Sequence, residues 1–207
     1  MVAITVLIFT VALSLYALNN EKVMDKLLLY PYRLNRNGDY YTFVSSGLIH
    51  ADIPHLLFNG FSFYFFAFSL ESIVGSVTFF WIYFGSMIFA SIPSSVIHKH
   101  NPSYRTLGAS GAISGAIFAY VLYEPGQYFQ LLLLPIPIPS PIFAILFLVG
   151  SYFASKRGGD NINHDAHIFG AISGAVLAII LDFILEGGNL LPNFVSTLNW
   201  MVESALS

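Results

Sequence analysis

The sequence contains no cysteine and little charge. Without Cys, the chain has neither disulfide bonds nor thiolate metal ligands. Only 9% of its 207 residues are charged, whereas soluble domains carry about a quarter. Together with a hydrophobic share of 56%, this composition indicates a chain built for lipid. A formal net charge of −3 gives no basic surface for nucleic acid, so we expect a lipid bilayer and no nucleic acid as partner.

The apolar residues form six runs, which fill the chain and leave no room for a sizeable soluble domain. A transmembrane helix needs roughly 20 apolar residues, so we predict an all-α membrane protein with one transmembrane domain over residues 1–187. The first run follows no Lys or Arg, unlike a signal peptide. A tail over 188–207 carries Trp200 and can lie at the membrane interface. The predicted spans are 2–18, 53–71, 77–97, 110–123, 142–154 and 166–184.

Two segments between the spans have a distinct composition. Residues 19–47 mix charged residues with leucines and tyrosines around the breakers Pro31 and Gly38, which predicts a structured first loop at the membrane interface rather than a solvated linker. Residues 135–141 hold four prolines. Because a proline removes a backbone donor and clashes with the preceding turn, this stretch cannot be helix interior.

The string Gly-Ala-Ile-Ser-Gly-Ala occurs twice, at residues 111–116 and 170–175. Each copy contains a pair of glycines four residues apart, Gly111/Gly115 and Gly170/Gly174, which lets helix backbones approach closely in lipid. We therefore predict that the fourth and sixth spans pack against each other. That contact would bring together Ser110 and His167, since each lies just before its glycine pair.

Four polar side chains within the predicted spans are candidates for function, because polar groups in lipid are costly. They are His55, Asn59, Ser110 and His167. His55 and Asn59 are four residues apart and share one helix face. All four lie at span ends next to the first, third and fifth loops, which share one side of the membrane. They can therefore meet at one depth.

These residue types suit acyl transfer. A serine hydroxyl becomes a nucleophile when an adjacent base, usually neutral histidine, takes its proton. The developing oxyanion needs oriented donors, and Asn, His and backbone N–H groups at a helix start all serve. The simpler interpretation of Ser110 is a helix cap.

At these residues the sequence resembles the rhomboid family of intramembrane serine proteases. The matching pieces are HADIPHLLFN at 50–59, GASG at 108–111, and AHIFG at 166–170 followed by Gly174. They occur in the family's order and on the expected helices of a six-span chain. The likeness covers roughly residues 40–178.

The resemblance implies a six-helix bundle with a structured interfacial first loop and a short fourth helix that carries the serine. It implies that Ser110 is the nucleophile and His167 the base, with no cofactor, and that the substrates are single-span transmembrane proteins. His55 and Asn59, with the Ser110 amide, would stabilise the oxyanion. Structural roles would belong to His50, Glu71, Gly108, Gly111, Gly170 and Gly174.

The chain departs from the family pattern at two positions. Many members carry an aromatic residue and an arginine in the first loop, where this chain has Tyr41 and Thr42. Some have a tyrosine one turn after the serine, packed under the catalytic histidine, where this chain has Ser114. These departures affect loop anchoring and ring orientation and remove no reacting group.

Several alternatives stay open. His164 is the chief rival base. A zinc cluster can be drawn from histidines and a carboxylate, although H-E-x-x-H is absent and Ser110 and Asn59 would have no role. An aspartyl protease would need two intramembrane aspartates, and only Asp182 lies deep in a span. A transporter or channel would use the prolines at 135–141 as a broken helix.

The last alternative is an inactive rhomboid-like binding protein, which would usually lack the serine or the histidine. The zinc cluster named above would comprise His50, His55, His164 and His167 with Asp52 or Asp165.

The cations give an opposing prediction for orientation. All eight Lys and Arg residues fall in the first, third and fifth loops, which by the positive-inside rule places the Ser110 side in the cytoplasm. The family resemblance implies a site that opens to the extracytoplasmic side. We expect the family orientation, because charges within a folded interfacial loop carry less weight.

Overall fold

The structure is a computed structural model that describes residues 1–131, 134–157 and 163–206. It is mostly helical. The elements in chain order are α1 (Val2–Leu18), α2 (Glu21–Leu27), α3 (Pro31–Asn37), α4 (Thr42–Ser45), a 3-10 turn (Ser46–Leu48), α5 (Ile53–Ile97), α6 (Ser110–Tyr123), β1 (Tyr128–Leu131), β2 (Leu134–Pro139), α7 (Ser140–Arg157), α8 (His164–Leu185) and α9 (Leu190–Leu206).

The predicted second and third spans are the two halves of α5. They join at Gly75, whose φ of 75° and ψ of 166° are not helical. Glycine adopts a positive φ without steric cost, so the chain can turn there between two helices. The other predicted segments agree with α1, α6, α7 and α8 to within a few residues.

Among the described residues, α5 and α8 are long and apolar enough to cross a membrane by length and composition. Helices α1 and α6 and the first part of α7 are shorter apolar helices. Large apolar side chains point outward from these helices; Phe58 is 74% exposed and Phe183 75% exposed. Apolar surface of this extent needs a covering phase, in agreement with the lipid predicted from composition.

Helix α6 lies at the centre of the bundle. Residues 111–119 are all buried, and α6 packs against both α5 and α8, while α1 packs on α5 and α7 on α8. The helix that begins at Ser110 is therefore the one with the most protein around it.

The predicted contact between the two glycine repeats is present. A Cβ added at Gly170 would overlap the carbonyl oxygen of Gly111, and one at Gly174 would overlap that of Gly115. Backbone meets backbone at both points, so α6 and α8 are in close contact, which a side chain at either glycine would prevent.

A two-stranded hairpin corrects the all-α prediction. Strands β1 and β2 pair antiparallel, with Tyr128 opposite Pro139 and Phe129 opposite Ile138. Proline cannot donate to a ladder, but an edge strand has one unpaired side where the missing N–H costs nothing. Three of the four prolines therefore lie in a strand, and Pro141 lies in the first turn of α7, so the broken helix of the transporter alternative is wrong for this segment.

The first loop is structured, as predicted. It folds into α2, α3, α4 and the 3-10 turn, and Arg33 forms ion pairs with Asp25 at 2.8 Å and Asp39 at 3.0 Å. An isolated bridge between Leu29 and Thr106 joins this loop to the third loop. Its place at the membrane interface stays a prediction.

The tail forms α9, which packs against α6 and α8. The buried carboxylate of Asp182 accepts a hydrogen bond from the Leu190 N–H at 3.0 Å. The aspartate that lies deepest in the predicted sixth span therefore holds the start of α9.

Candidate active site

Ser110 opens α6 after a glycine turn. Gly108 has a φ of 115°, which side-chain-bearing residues rarely adopt. The N-cap residue is Ala109, and no side chain caps this helix. Ser110 is thus the first helical residue, and its hydroxyl does not cap the helix. The helix start directs the positive end of the peptide dipoles toward this turn.

The ring of His55 lies directly over Gly108. A Cβ added at Gly108 would stand 2.7 Å from His55 Cε1 and 2.8 Å from Nε2, closer than ordinary contact. The turn before Ser110 therefore requires glycine for two reasons, the positive φ and the space for an imidazole. His55 is brought to the GASG turn from the start of α5.

His50 joins α1, the first loop and the serine turn. Its ring is fully buried; Nδ1 lies 3.0 Å from Ser14 Oγ, and Nε2 accepts a hydrogen bond from the Ala109 N–H at 3.5 Å. Burial, followed by the neighbouring His55, lowers the pKa of His50 to about 4. The imidazole is therefore neutral at pH 7, and an accepting Nε2 leaves the proton on Nδ1 to donate to Ser14.

Asn59 lies one turn after His55 and is 5% exposed. Its Nδ2 donates to the His55 carbonyl at 3.0 Å. The residue lines a small cavity together with His50 and Ala109. The structure thus places Asn59 behind the serine turn, with its amide bonded to its own helix.

His167 lies in the first turn of α8, where the two helices cross. The carbonyl oxygen of Ala166 would lie 3.3 Å from a Cβ on Gly111. The residue before His167 therefore contacts the residue after Ser110. The His167 ring also stacks on Phe147 with centroids 6.0 Å apart, and the His164 ring stands edge-on to it at 5.7 Å.

Phe147 is a contact that sequence reasoning missed. Ser114 stands where some family members have a tyrosine; it is buried, and its hydroxyl donates to the Ser110 carbonyl at 2.8 Å. An aromatic ring beside His167 comes instead from α7. No sequence signal marks Phe147, since it looks like any aromatic residue of an apolar helix. Asn163, which caps α8, had a readable signal: an asparagine just before an apolar run.

Glu71 lies far from the serine turn, at the other end of the first half of α5. Its carboxylate is 4% exposed and accepts hydrogen bonds from the Val2 N–H at 2.6 Å and the Ala3 N–H at 2.9 Å. Ser76 donates a further hydrogen bond. Glu71 therefore caps α1 and fastens it to the turn at Gly75.

The histidines of the zinc alternative separate into two pairs. His50 contacts His55, and His164 contacts His167. Over residues 1–131, 134–157 and 163–206, no three His, Asp or Glu side chains form a group that could hold a metal ion. The zinc alternative therefore has no donor set among the described residues.

Comparison with known proteins agrees with the resemblance seen in the motifs. A family model described as the Rhomboid domain matches residues 37–182. The chain is 34% identical to "Putative rhomboid protease YdcA" of Bacillus subtilis (strain 168), over 70% of this chain and 68% of that protein. It is 29% identical to "Putative rhomboid protein L523" of Acanthamoeba polyphaga mimivirus, over 70% of this chain and 78% of that protein. It is 27% identical to "RHOMBOID-like protein 12, mitochondrial" of Arabidopsis thaliana, over 68% of this chain and 46% of that protein. The chain belongs to the rhomboid family.

Proposed function

We propose that this protein is an intramembrane serine endopeptidase in which Ser110 and His167 form a catalytic dyad. The observation that carries the proposal is the crossing of α6 and α8. Ala166 contacts Gly111 there, so the two helices meet at the residues that adjoin the serine and the histidine. Membership of the rhomboid family and the name of the Bacillus relative support the same function.

The proposed reaction is acyl transfer in two steps. His167 takes the hydroxyl proton while Ser110 Oγ attacks the scissile carbonyl, and the protonated histidine then gives that proton to the leaving amine. Water activated by the same histidine hydrolyses the acyl-enzyme. His55, Asn59 and the Ser110 amide supply donors for the oxyanion. No cofactor takes part.

The proposed membrane arrangement is six spans, made of α1, the two halves of α5, α6, α7 and α8, with α9 at the interface. Helix α6 has 14 residues, which gives a length of about 21 Å. A bilayer core is about 30 Å thick. If the far end of α6 reaches the opposite surface, Ser110 lies below the near surface, where water must reach it through a cavity.

The proposed substrates are single-span transmembrane proteins. A peptide bond within a helix has its carbonyl hydrogen-bonded, so the substrate helix must unwind to present it. We therefore expect small or helix-breaking residues near the cut.

We propose that the site opens to the extracytoplasmic side. The first loop holds four of the eight cations, and it is folded, with Arg33 paired to two carboxylates. Ion-paired cations within a folded loop determine orientation less than cations in short open loops do. Reporter fusions at residue 207 and in the third loop test this, and a cytoplasmic third loop would contradict it.

Cleavage of a model transmembrane substrate by the purified protein in detergent tests the function. We expect cleavage by the wild type and by Ser173→Ala, and none by Ser110→Ala or His167→Ala. Ser173 is a suited control because it occupies the place of Ser114 in the second glycine repeat and its hydroxyl bonds within α8. Cleavage by Ser110→Ala would overturn the mechanism.

Further outcomes separate the alternatives. Cleavage blocked by a chelator would favour a metal, and substrate binding without cleavage by any form would favour an inactive rhomboid-like protein. Solute flux into proteoliposomes without proteolysis would favour a transporter.

A further inference from the structure

A polar cluster lies where α8 begins, beneath the two helix starts that carry Ser110 and His167. Its centre is Asn163. The side-chain Nδ2 donates to Ser94 Oγ at 3.0 Å and to Thr106 Oγ1 at 3.2 Å, while Oδ1 accepts from the Ala166 N–H at 3.1 Å. Both amide donors and the amide oxygen are thus engaged, and Ser94 is 2% exposed.

The cluster joins the two segments that bear the proposed dyad at matching positions. Thr106 lies four residues before Ser110, and Asn163 lies four residues before His167. The carbonyl of Asn163 accepts from the His167 N–H at 3.3 Å. Asn163 therefore contacts His167 through its backbone and the loop before Ser110 through its side chain.

Each end of this cross-link is itself held. The N–H and C=O of Thr106 pair with Leu29 in the first loop, both at 3.0 Å. Ser94 lies in the second half of α5, the element against which both α6 and α8 pack. Burial raises the pKa of the nearby Tyr104 hydroxyl, while Ser94 and Thr106 act to lower it. The cross-link runs between fixed points.

We propose that Asn163 is a positioning residue that sets the separation of His167 from Ser110 by tying the start of α8 to the loop before α6. The inference rests on the proposed function, since positioning has meaning only if these two residues react. The positioning role is distinct from helix capping, because Asn163 caps α8 through Oδ1 and forms the cross-link through Nδ2.

That division gives a sharp test. Serine caps helices about as well as asparagine, but its hydroxyl is too short to reach both Ser94 and Thr106. Asn163→Ser therefore keeps the cap and removes the cross-link, whereas Asn163→Ala removes both. Thr106→Val removes one acceptor of the cross-link and leaves the cap and the backbone bridge to Leu29 in place.

The experiment measures labelling of Ser110 by a fluorophosphonate probe in the full-length protein in detergent, with the maximal rate and the half-saturating probe concentration determined separately. Displacement of a reacting group by about 1 Å costs up to about 100-fold in rate. We expect Asn163→Ser and Thr106→Val each to lower the maximal rate by about 10- to 100-fold, with half-saturation within about twofold of the wild type. The double variant should be no slower than Asn163→Ser, because both changes break one connection.

Thermal unfolding of the same samples separates positioning from stability. Asn163→Ser should melt within about 3 °C of the wild type, and Asn163→Ala should melt lower. Asn20→Ala is the matched control, since Asn20 caps α2 by the same kind of bond to Val23 and should leave the labelling rate unchanged. Wild-type labelling rates in Asn163→Ser or in Thr106→Val would overturn the positioning role alone. A wild-type protein that takes no label at Ser110 would overturn the proposed function and the positioning role with it.

Discussion

Replacing Gly170 by alanine tests whether the crossing of α6 and α8 builds the site. The added methyl group would overlap the carbonyl oxygen of Gly111 and stand 2.8 Å from its carbonyl carbon and 3.0 Å from its Cα. Carbon atoms in contact sit about 3.5–4.0 Å apart. The obstacle is backbone on both sides, so no flexible side chain can move away. The helices must separate by about 1 Å to restore that spacing.

The energetic effect has two opposing parts. Overpacking of a buried contact costs about 1–3 kcal/mol, and alanine in a helix gains about 0.5–1 kcal/mol over glycine. Because backbone opposes backbone at Gly170, we take the upper end of the cost and expect a net loss of about 2 kcal/mol. The same substitution at Gly150 in α7 meets no atom within 4 Å, so Gly150→Ala should gain about 0.5–1 kcal/mol. The two variants should differ by about 3 kcal/mol.

The assay is thermal unfolding of both variants in detergent, followed by the labelling rate of Ser110 at a temperature where each is folded. We expect Gly170→Ala to unfold earlier and to label up to about 100-fold more slowly, since the separation displaces His167. Gly150→Ala should match the wild type in labelling. A Gly170→Ala protein with the stability and labelling rate of the wild type would refute the idea that close approach of the two helices sets the site.

Three further predictions concern residues that support the serine turn and the bundle. The pKa of His50 is lowered to about 4 from 6.5, so on acidification the unfolded chain takes up this proton first. The His50 contribution to the free energy of unfolding, on the order of 3 kcal/mol, is therefore present above pH 6.5 and lost as the pH falls toward 4. His50→Gln should have a flatter profile of unfolding free energy over this interval, and an unchanged profile would contradict the assignment. Glu71→Gln should lower the free energy of unfolding by about 1–3 kcal/mol, because it turns an N–H₂ group toward backbone donors. The same change at the exposed Glu203 should have no effect. Equal melting temperatures of the two variants would count against the cap on α1. Phe147→Leu should slow labelling of Ser110 by about 2- to 10-fold, as expected for the loss of an aromatic pair worth about 0.5–1.5 kcal/mol. Phe147→Tyr keeps an aromatic ring and should preserve the rate. A labelling rate unchanged in both variants would mean that the ring does not support His167.

Much of the helical framework could be predicted from the sequence, because lipid imposes strong patterns. Long apolar runs set the helices, and the duplicated glycine string by itself predicts the contact between α6 and α8. Gly75 illustrates the limit. Hydropathy separated the second span from the third, but only backbone angles show that the two helices meet at one glycine.

The hairpin was missed for a physical reason. The prolines at 135, 137 and 139 disfavour a helix interior, and proline is also disfavoured in strands, so the sequence argued against both regular structures. Pairing of β2 with residues 128–131 leaves one edge open, and that long-range pairing is not encoded in local propensity.

The sequence suggests residues for the candidate site but does not reveal the contacts that support them. His55, Ser110 and His167 were proposed from polarity in apolar runs and from motif order. Phe147 and Asn163 were not, because an aromatic residue on an apolar helix and an asparagine before one have ordinary structural explanations. The contact of Phe147 with His167 depends on how α7 packs, and the hydrogen bond of Asn163 to Thr106 depends on how the third loop packs; no periodicity reveals either.

The most direct test of the central claim is to map the covalent adduct of a fluorophosphonate or isocoumarin probe by mass spectrometry. We predict a single adduct at Ser110 in the wild type, its absence in Ser110→Ala, and labelling at least about 1,000-fold slower in His167→Ala, where the proton acceptor is missing. An adduct at Ser114, or labelling of His167→Ala at the wild-type rate, would contradict the assignment of the dyad.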